Sequence, residues 1–290
     1  MRMSLFYKDM TLHFYFILSA MQALRHFLLA VQFFTRLPVT GRLAAWVGWS
    51  PDLQRSSAAH LPGVGWLVGM VAALVVLGCH YILMGQTMLP WIAAVLSTVA
   101  TLAVTGGFHE DGMADVADGL GGHLPAERAL EVMKDSRLGA YGVMALCMGL
   151  LAKVIFVAWL LSLDIAAGAL LLLCVHVLSR GAPLMLMRAL RHVSLPSTSK
   201  TLHIAGRPLS WNGVVTGLLW CVPACVALYV HFGPTILAGV ITTAALITLY
   251  MGWRFQRRLG GMTGDCLGAT QQVCELGMYL SASCLLSLCL

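Results

Sequence analysis

Three aspartates, Asp111, Asp115 and Asp118, recur at helical spacing in the stretch 107–119, GFHEDGMADVADG. On an α-helix, residues three and four positions apart share a face, so these carboxylates would point in one direction. Like charges placed so closely repel each other unless a cation neutralises them. Carboxylate oxygens are the hard ligands that Mg²⁺ prefers, together with waters and substrate phosphates. The spacing therefore predicts a magnesium site on this helix.

Acid–base groups stand just before these aspartates. His109 and Glu110, together with Asp111, are the candidate catalytic residues, and His109 or Glu110 is the candidate for proton transfer. The alternative is a solvated acidic loop, but the chain is poor in acids and gathers seven of its 12 between positions 110 and 135. The spacing excludes an EF-hand, and an iron site would need a second histidine nearby.

A second motif, KDSRLGAYG at 134–142, mixes cations, a hydroxyl and glycines. Lys134 and Arg137 are predicted to bind phosphate oxygens, the arginine through its bidentate fork, with Ser136 as a neutral donor. Basic residues are expected at a span end in any case. Beside a metal site, however, they complete the group of residues typical of phosphoryl transfer.

A third motif, GGMTGDCLGA at 260–269, precedes the last apolar run. Gly264 is a candidate phosphate binder through its backbone amide, and Asp265 is a candidate fourth metal ligand. On pattern alone, a flexible turn is the alternative. Arg180 and Lys153 lie inside apolar runs; Arg180 is a further candidate for phosphate binding, and a structural pairing with a carboxylate is the alternative for both.

The composition predicts an integral membrane protein. Hydrophobic residues make up 59% of the chain and charged residues 10%, with a mean hydropathy of +0.83, whereas soluble domains are about 25% charged. The nine cysteines are scattered without CxxC spacing, so neither disulfides nor a zinc site is expected. No basic patch is interleaved with aromatics, and nucleic-acid binding is not expected.

Apolar runs long enough to cross the lipid bilayer predict an all-α, polytopic fold with six to seven transmembrane helices in tight hairpins. Segment 24–37 is predicted to be an interfacial helix. Residues 1–20 are interpreted as an N-terminal extension and 21–290 as a single transmembrane domain. The runs are 61–83, 88–107, 138–162, 164–187, 212–231 and 234–252, with 276–290 as a further candidate.

Loop charges predict the topology. Segments 1–60, 108–137, 188–211 and 253–275 carry 16 of the 18 Lys and Arg residues. Positive loops stay on the cytoplasmic side of a membrane. We therefore expect the long loops, and the acid cluster with them, to face the cytoplasm.

The three motifs resemble those of the cobalamin synthase family, the adenosylcobinamide-GDP ribazoletransferases. The similar segments are GGFHEDGMADVADGLGG at 106–122, LEVMKDSRLGAYG at 130–142, LGGMTGDCLGA at 259–269 and FLLAVQFFTRLPV at 27–39. The resemblance covers roughly 21–290; the loop 189–211 departs from it. It implies transfer of cobinamide phosphate from adenosylcobinamide-GDP to α-ribazole or its 5′-phosphate, with release of GMP. It also implies a Mg²⁺ requirement and a location in the bacterial inner membrane.

Other functions remain open at this stage. A CDP-alcohol phosphotransferase would need an Ala-Arg pair after its Asp-Gly, and a prenyltransferase would need two Asp-rich motifs. A cation transporter would place carboxylates within its spans rather than at their ends. A homo-oligomer, or a complex with other enzymes of cobalamin assembly, is compatible with any of the enzymatic readings.

Overall fold

The architecture is that of a helical bundle. The computed structural model describes residues 19–193 and 208–289, and no β-strand occurs in those ranges. One isolated β-bridge joins His192 to Met262. The predicted extension 1–20 and the divergent loop 189–211 lie largely outside the described residues.

The helices follow one another with short connections, and two 3-10 turns, Ala58–His60 and Ser179–Gly181, continue neighbouring helices. The α-helices in these ranges are α1 (19–34), α2 (Gly41–Val47), α3 (Pro51–Ser57), α4 (Leu61–Ile82), α5 (Leu89–Thr105), α6 (Phe108–Gly121), α7 (Ala126–Val132), α8 (Ala140–Leu163), α9 (Ile165–Leu178), α10 (Ala182–Ala189), α11 (Trp211–Leu259) and α12 (Gly264–Cys289).

Four described helical stretches are long and apolar enough to cross a membrane: Pro51–Ile82, Ala140–Leu163, Ile165–Ala189 and Trp211–Leu259. A fifth is reached if α5 and α6 count as one broken span. The predicted number of six to seven spans is therefore not confirmed, although the all-α prediction is.

Helix α11 accounts for part of this difference. The sequence predicts two spans, 212–231 and 234–252, and the stretch Trp211–Leu259 consists of two helices that meet at Gly233, where the backbone is not helical. Gly233 adopts φ 79° and ψ 178°, a conformation that glycine tolerates, and Pro234 cannot donate a backbone hydrogen bond. The two predicted spans thus correspond to the two helical limbs on either side of Gly233.

Small residues let the central helices approach closely. A Cβ at Gly69 of α4 would lie 2.7 Å from the carbonyl oxygen of Leu173 on α9. Side chains from α4, α8, α9, α11 and α12 form the largest buried core, whereas large apolar side chains such as Leu74, Met148 and Leu249 remain exposed on the outer faces. Close small-residue contacts inside an apolar outer surface are typical of a membrane protein.

A sharp turn positions the acidic helix. Gly106 and Gly107 both have positive φ, 68° and 70°, and the amide of Gly106 caps α5 by donating to Leu102 O at 2.7 Å. Helix α6 consequently leaves α5 at an angle of 89°. This bend turns α6 across the bundle, where it packs against α8 and α12.

Candidate active site

Helix α6 crosses the beginning of α12 at two glycines. A Cβ at Gly112 would lie 2.8 Å from the carbonyl oxygen of Asp265, and a Cβ at Gly268 would lie 3.2 Å from the Cα of His109. Any larger residue would push the two helices apart. The glycines inside the first and third motifs therefore bring the aspartates of α6 beside Asp265.

Four carboxylates meet at this crossing. Asp265, Asp111 and Asp118 all lie near enough to Asp115 to act on it electrostatically. Asp111 is exposed, whereas Asp115 and Asp265 are half-buried. Among the described residues, no side chain or amide donates a hydrogen bond to the carboxylates of Asp111 or Asp115, and Asp265 accepts one from Thr263 Oγ1 at 3.2 Å. The cluster therefore combines negative charges with unused oxygen acceptors.

These donors suit a cation of the Mg²⁺ type. Within 19–193 and 208–289, no three His, Cys, Asp or Glu side chains are grouped closely enough to hold a metal ion by themselves. Mg²⁺ commonly takes one or two carboxylates and completes its shell with waters and substrate phosphates. The unpaired oxygens of Asp111 and Asp115 fit such an open site, and they do not form a closed cage.

Asp118 has a different environment from the other three. Its two carboxylate oxygens accept hydrogen bonds from the backbone amides of Gly139 and Gly142, each at 2.8 Å. These amides begin α8, where a negative charge is stabilising. A Cβ at either glycine would overlap the carboxylate. Asp118 thus ties the first motif to the second, and its predicted role as a metal ligand stays a prediction.

The two cations of the second motif, Lys134 and Arg137, lie in different surroundings. Arg137 donates from Nε to Asp135 Oδ1 at 3.0 Å and from Nη2 to Asp135 Oδ2 at 2.5 Å. These hydrogen bonds lower the pKa of Asp135 to about 2. Lys134 lies closer to the acids, since it acts electrostatically on Asp265. Ser136 is exposed beside them.

His192 also lies near Lys134 of the second motif, as its pKa indicates. Burial lowers this pKa, and the nearby positive charge of Lys134 lowers it further. The described part of the loop after α10 therefore comes close to the second motif.

The three candidate catalytic residues have different surroundings. Asp111 is exposed, whereas Glu110 is buried and its Oε1 accepts a hydrogen bond from Gln272 Nε2 at 2.9 Å. His109 is 2% exposed, and neither ring nitrogen has a hydrogen-bond partner among the described residues. Of the three, only Asp111 combines exposure with an unpaired acceptor.

Arg180 is not exposed beside the phosphate-binding candidates but buried inside the bundle. Its Nη1 donates to His176 O at 2.7 Å and lies 4.0 Å from Glu275 Oε2. Lys153 Nζ is 2.7 Å from Glu275 Oε1, which confirms the pairing of Lys153 with an acid. Phosphate binding by Arg180 stays a prediction, and its contacts match the structural alternative.

The sequence motifs do not predict that Lys153, Arg180 and Glu275 form one buried cluster. Gln271 donates to Glu275 Oε2 at 2.7 Å and to Ser179 Oγ at 3.0 Å. The signal in the sequence is the run of Gln271, Gln272 and Glu275 at helical spacing inside an otherwise apolar segment. Polar residues so placed need partners within the bundle.

Comparison with known proteins agrees with the three motifs. The sequence profile of the family described as Cobalamin-5-phosphate synthase matches residues 26–283. A protein of Polaromonas sp. (strain JS666 / ATCC BAA-500), named Adenosylcobinamide-GDP ribazoletransferase, is 48% identical over 89% of this chain and 96% of its own length.

More distant relatives carry the same name. The protein of Polaromonas naphthalenivorans (strain CJ2) is 46% identical over 90% of this chain and 98% of its own length. The protein of Vibrio cholerae serotype O1 (strain ATCC 39541 / Classical Ogawa 395 / O395) is 39% identical over 88% and 91%, respectively. No solved structure matches the chain. The match along nearly the whole chain shows that it belongs to the Cobalamin-5-phosphate synthase family.

Proposed function

We propose that this protein transfers the adenosylcobinamide-phosphate group of adenosylcobinamide-GDP to α-ribazole or α-ribazole 5′-phosphate. The products are GMP and adenosylcobalamin or its 5′-phosphate, a late step of cobalamin biosynthesis. The observation that carries the proposal is the crossing of α6 and α12, which gathers Asp111, Asp115 and Asp265 beside Lys134. Acids and a cation in one place suit the displacement of a phosphate group.

In this reaction, a ribose hydroxyl oxygen of α-ribazole attacks the phosphorus that carries cobinamide. A new P–O bond forms, and the bond from that phosphorus to the bridging oxygen of the pyrophosphate breaks. The bridging oxygen leaves with GMP, and the hydroxyl proton passes to the enzyme. We assign that proton to Asp111, because its carboxylate is exposed and unpaired, whereas Glu110 is held by Gln272.

Mg²⁺ is the proposed cofactor. Asp115 and Asp265 would hold it from two different helices, with Asp111 beside them. Asp118 keeps the second motif in place through Gly139 and Gly142 rather than joining the metal ligands. When bound, Mg²⁺ neutralises the charge that develops on the phosphate oxygens.

Phosphate oxygens would be bound by Lys134, Ser136, Arg137 and the amide of Gly264. Gly264 is exposed and begins α12, where free amides favour anions. The fork of Arg137 already holds the carboxylate of Asp135, and a phosphate has the same bidentate geometry. Arg137 can therefore exchange Asp135 for substrate. Arg180 is held in the buried cluster by His176 and Glu275 and lies outside this set.

The membrane arrangement is also part of the proposal. Counting both limbs of α11, the bent pair α5–α6 and the end of α12 gives six to seven crossings in the bacterial inner membrane. Hydrogen bonds join the motif-bearing connections: Arg258 Nη2 donates to Gly122 O at 2.8 Å and Arg191 Nε donates to Gly260 O at 2.8 Å. These connections are rich in Lys and Arg, which supports a cytoplasmic active site.

The proposal is tested with the full chain purified in detergent. Incubation with Mg²⁺, adenosylcobinamide-GDP and α-ribazole should release GMP and form the corresponding cobalamin, both measured by chromatography and mass spectrometry. Absence of GMP under conditions in which the protein remains folded would contradict the transferase assignment. Cation flux through protein-containing liposomes, without any transfer, would favour the transporter alternative instead.

A further inference from the structure

A cavity of about 300 Å³ lies next to the acid cluster. Helices α1, α3, α6, α10 and α12 contribute to its wall. His109 lines it two positions before Asp111, and Gly264 lines it next to Asp265. A ligand in this cavity would therefore have one end directed at the carboxylates.

Aromatic rings dominate one side of the cavity. Phe33, Phe34 and Phe108 pack edge to face, with ring centroids 4.9–5.7 Å apart. The ring of His109 lies nearly parallel to that of Phe34, at 6.4 Å. Phe33 is 46% and Phe108 is 40% exposed, so their faces are not covered by the protein. Such a surface suits a flat aromatic ligand.

The polar part of the wall is small. His109 is buried, and both of its ring nitrogens lack a partner within the described parts of the chain. Neither nitrogen is accessible from the cavity, so His109 offers its ring and not a hydrogen bond. The rest of the wall is mostly apolar, and its other polar side chains are those of Gln54, Arg55 and His192.

We infer that this cavity binds the aromatic base of α-ribazole, a dimethylbenzimidazole, with its ribose directed at Asp111. The inference rests on the proposed function and assigns one of its two substrates to a place. A benzimidazole joined to ribose has a flat, mostly apolar body, which matches the phenylalanines and the mostly apolar wall.

The other parts of the substrates fit this cavity less well. Guanine carries more donors and acceptors along its edge than the few polar side chains of this mostly apolar wall can pair. The corrin ring of cobinamide is a macrocycle too large for a cavity of about 300 Å³. The base of α-ribazole therefore matches the size and the polarity of the cavity best.

The test measures binding separately from turnover. Titration calorimetry of the purified full chain with α-ribazole, without adenosylcobinamide-GDP, compares the wild type with Phe34→Leu and Phe108→Leu. Phe156→Leu, a partly buried phenylalanine of α8 packed against the main core, is the matched control. We expect Phe34→Leu and Phe108→Leu to weaken α-ribazole binding about tenfold, as for loss of stacking contacts, and to leave GDP binding unchanged. Phe156→Leu should change neither affinity.

A second measurement needs no variant. An azidobenzimidazole probe photolysed with the wild-type protein in lipid nanodiscs should label peptides that contain residues 33–34 and 108–109, and excess α-ribazole should prevent the labelling. Labelling elsewhere would overturn the inference, as would a loss of GDP affinity in place of α-ribazole affinity. A cavity filled by a lipid chain would give no labelling at these residues.

The outcomes separate the two proposals. If α-ribazole binds in the cavity but the wild type releases no GMP, the proposed reaction fails and the binding site stands. If GMP is formed but Phe34→Leu and Phe108→Leu retain full affinity for α-ribazole, the binding site fails and the reaction stands.

Discussion

Two groups of charged side chains lie close together in this protein and have opposite character. In the buried cluster, Lys153 contacts Glu275 at 2.7 Å, and His176 and Arg180 surround the same carboxylate. At the α6–α12 crossing, Asp111 and Asp115 have no cationic partner that the described structure shows. In the first group each charge has an opposite charge beside it, whereas in the second group the carboxylates outnumber Lys134, the cation that acts on Asp265.

This difference separates charges that hold the helices together from charges that hold a ligand. A buried carboxylate with its cations already satisfied cannot bind substrate without breaking its own contacts. Carboxylates that face each other without partners destabilise the free protein, and such strain persists where function requires it. Asp118 lies in the acidic helix but resembles the first group, because backbone amides satisfy it.

The comparison predicts its largest effect at Asp115. Asp115→Asn should lower the rate of GMP release by about 100- to 1,000-fold, as expected when a group that stabilises a developing charge is lost. Because the substitution relieves repulsion from Asp265 and Asp111, the melting temperature should stay the same or rise. Activity at saturating Mg²⁺ and differential scanning fluorimetry measure the two effects.

Glu127→Gln is the matched control for Asp115→Asn, since it removes an exposed carboxylate of α7. It should leave both readouts unchanged. Full activity of Asp115→Asn would remove Asp115 from the proposed site.

The opposite pattern is expected in the buried cluster. Glu275→Gln leaves Lys153 buried without its carboxylate and removes one of the two carboxylates that act on Arg180, which should cost about 3–5 kcal/mol of stability. Thermal unfolding in detergent measures this loss. The double variant Lys153→Met with Glu275→Gln should recover part of it, because one unpaired cation is gone. A Glu275→Gln protein of normal stability but no activity would instead place Glu275 in the catalytic site.

Asp118 lies in the acidic helix but, like the buried cluster, has satisfied hydrogen bonds, so a variant at this position shows to which group it belongs. Asp118→Asn keeps one acceptor but loses the charge that holds the amides of Gly139 and Gly142, so stability should fall by about 1 kcal/mol. Activity should fall about tenfold because the second motif loosens, as small misplacements cost up to about a hundredfold. The concentration of Mg²⁺ needed for half-maximal rate should stay at the wild-type value. A raised Mg²⁺ requirement would make Asp118 a metal ligand after all.

The sequence alone predicts the acidic helix but not the residues that its side chains contact. Helical spacing predicted that Asp111 and Asp115 share a face, because this depends only on local geometry. The bonds from Gly139 and Gly142 to Asp118 join residues more than 20 positions apart and depend on how α6 packs against α8. Local patterns do not contain that information.

The number of membrane spans is likewise not fully predictable from local sequence patterns. Hydropathy located the apolar runs on both sides of the break at Gly233, but it did not reveal the 89° bend between α5 and α6, which decides whether those two helices form one broken span. Inside the bundle, the pattern marked Lys153 as needing an acid without saying which one. Only tertiary packing, in which α8 meets α12, identifies Glu275 as the partner.

The smallest predicted effect concerns Asp135, which holds Arg137 at the exposed edge of the site. Asp135→Asn weakens the bidentate grip on the guanidinium, so Arg137 becomes more available to the phosphates of adenosylcobinamide-GDP. The KM for that substrate should fall about two- to threefold at low ionic strength, and salt should reduce the difference, since exposed charges are screened. The KM for α-ribazole should not change. A higher KM for adenosylcobinamide-GDP would mean instead that Asp135 orients Arg137 for binding, and Arg137→Lys, which loses the fork but keeps the charge, should then produce the same increase.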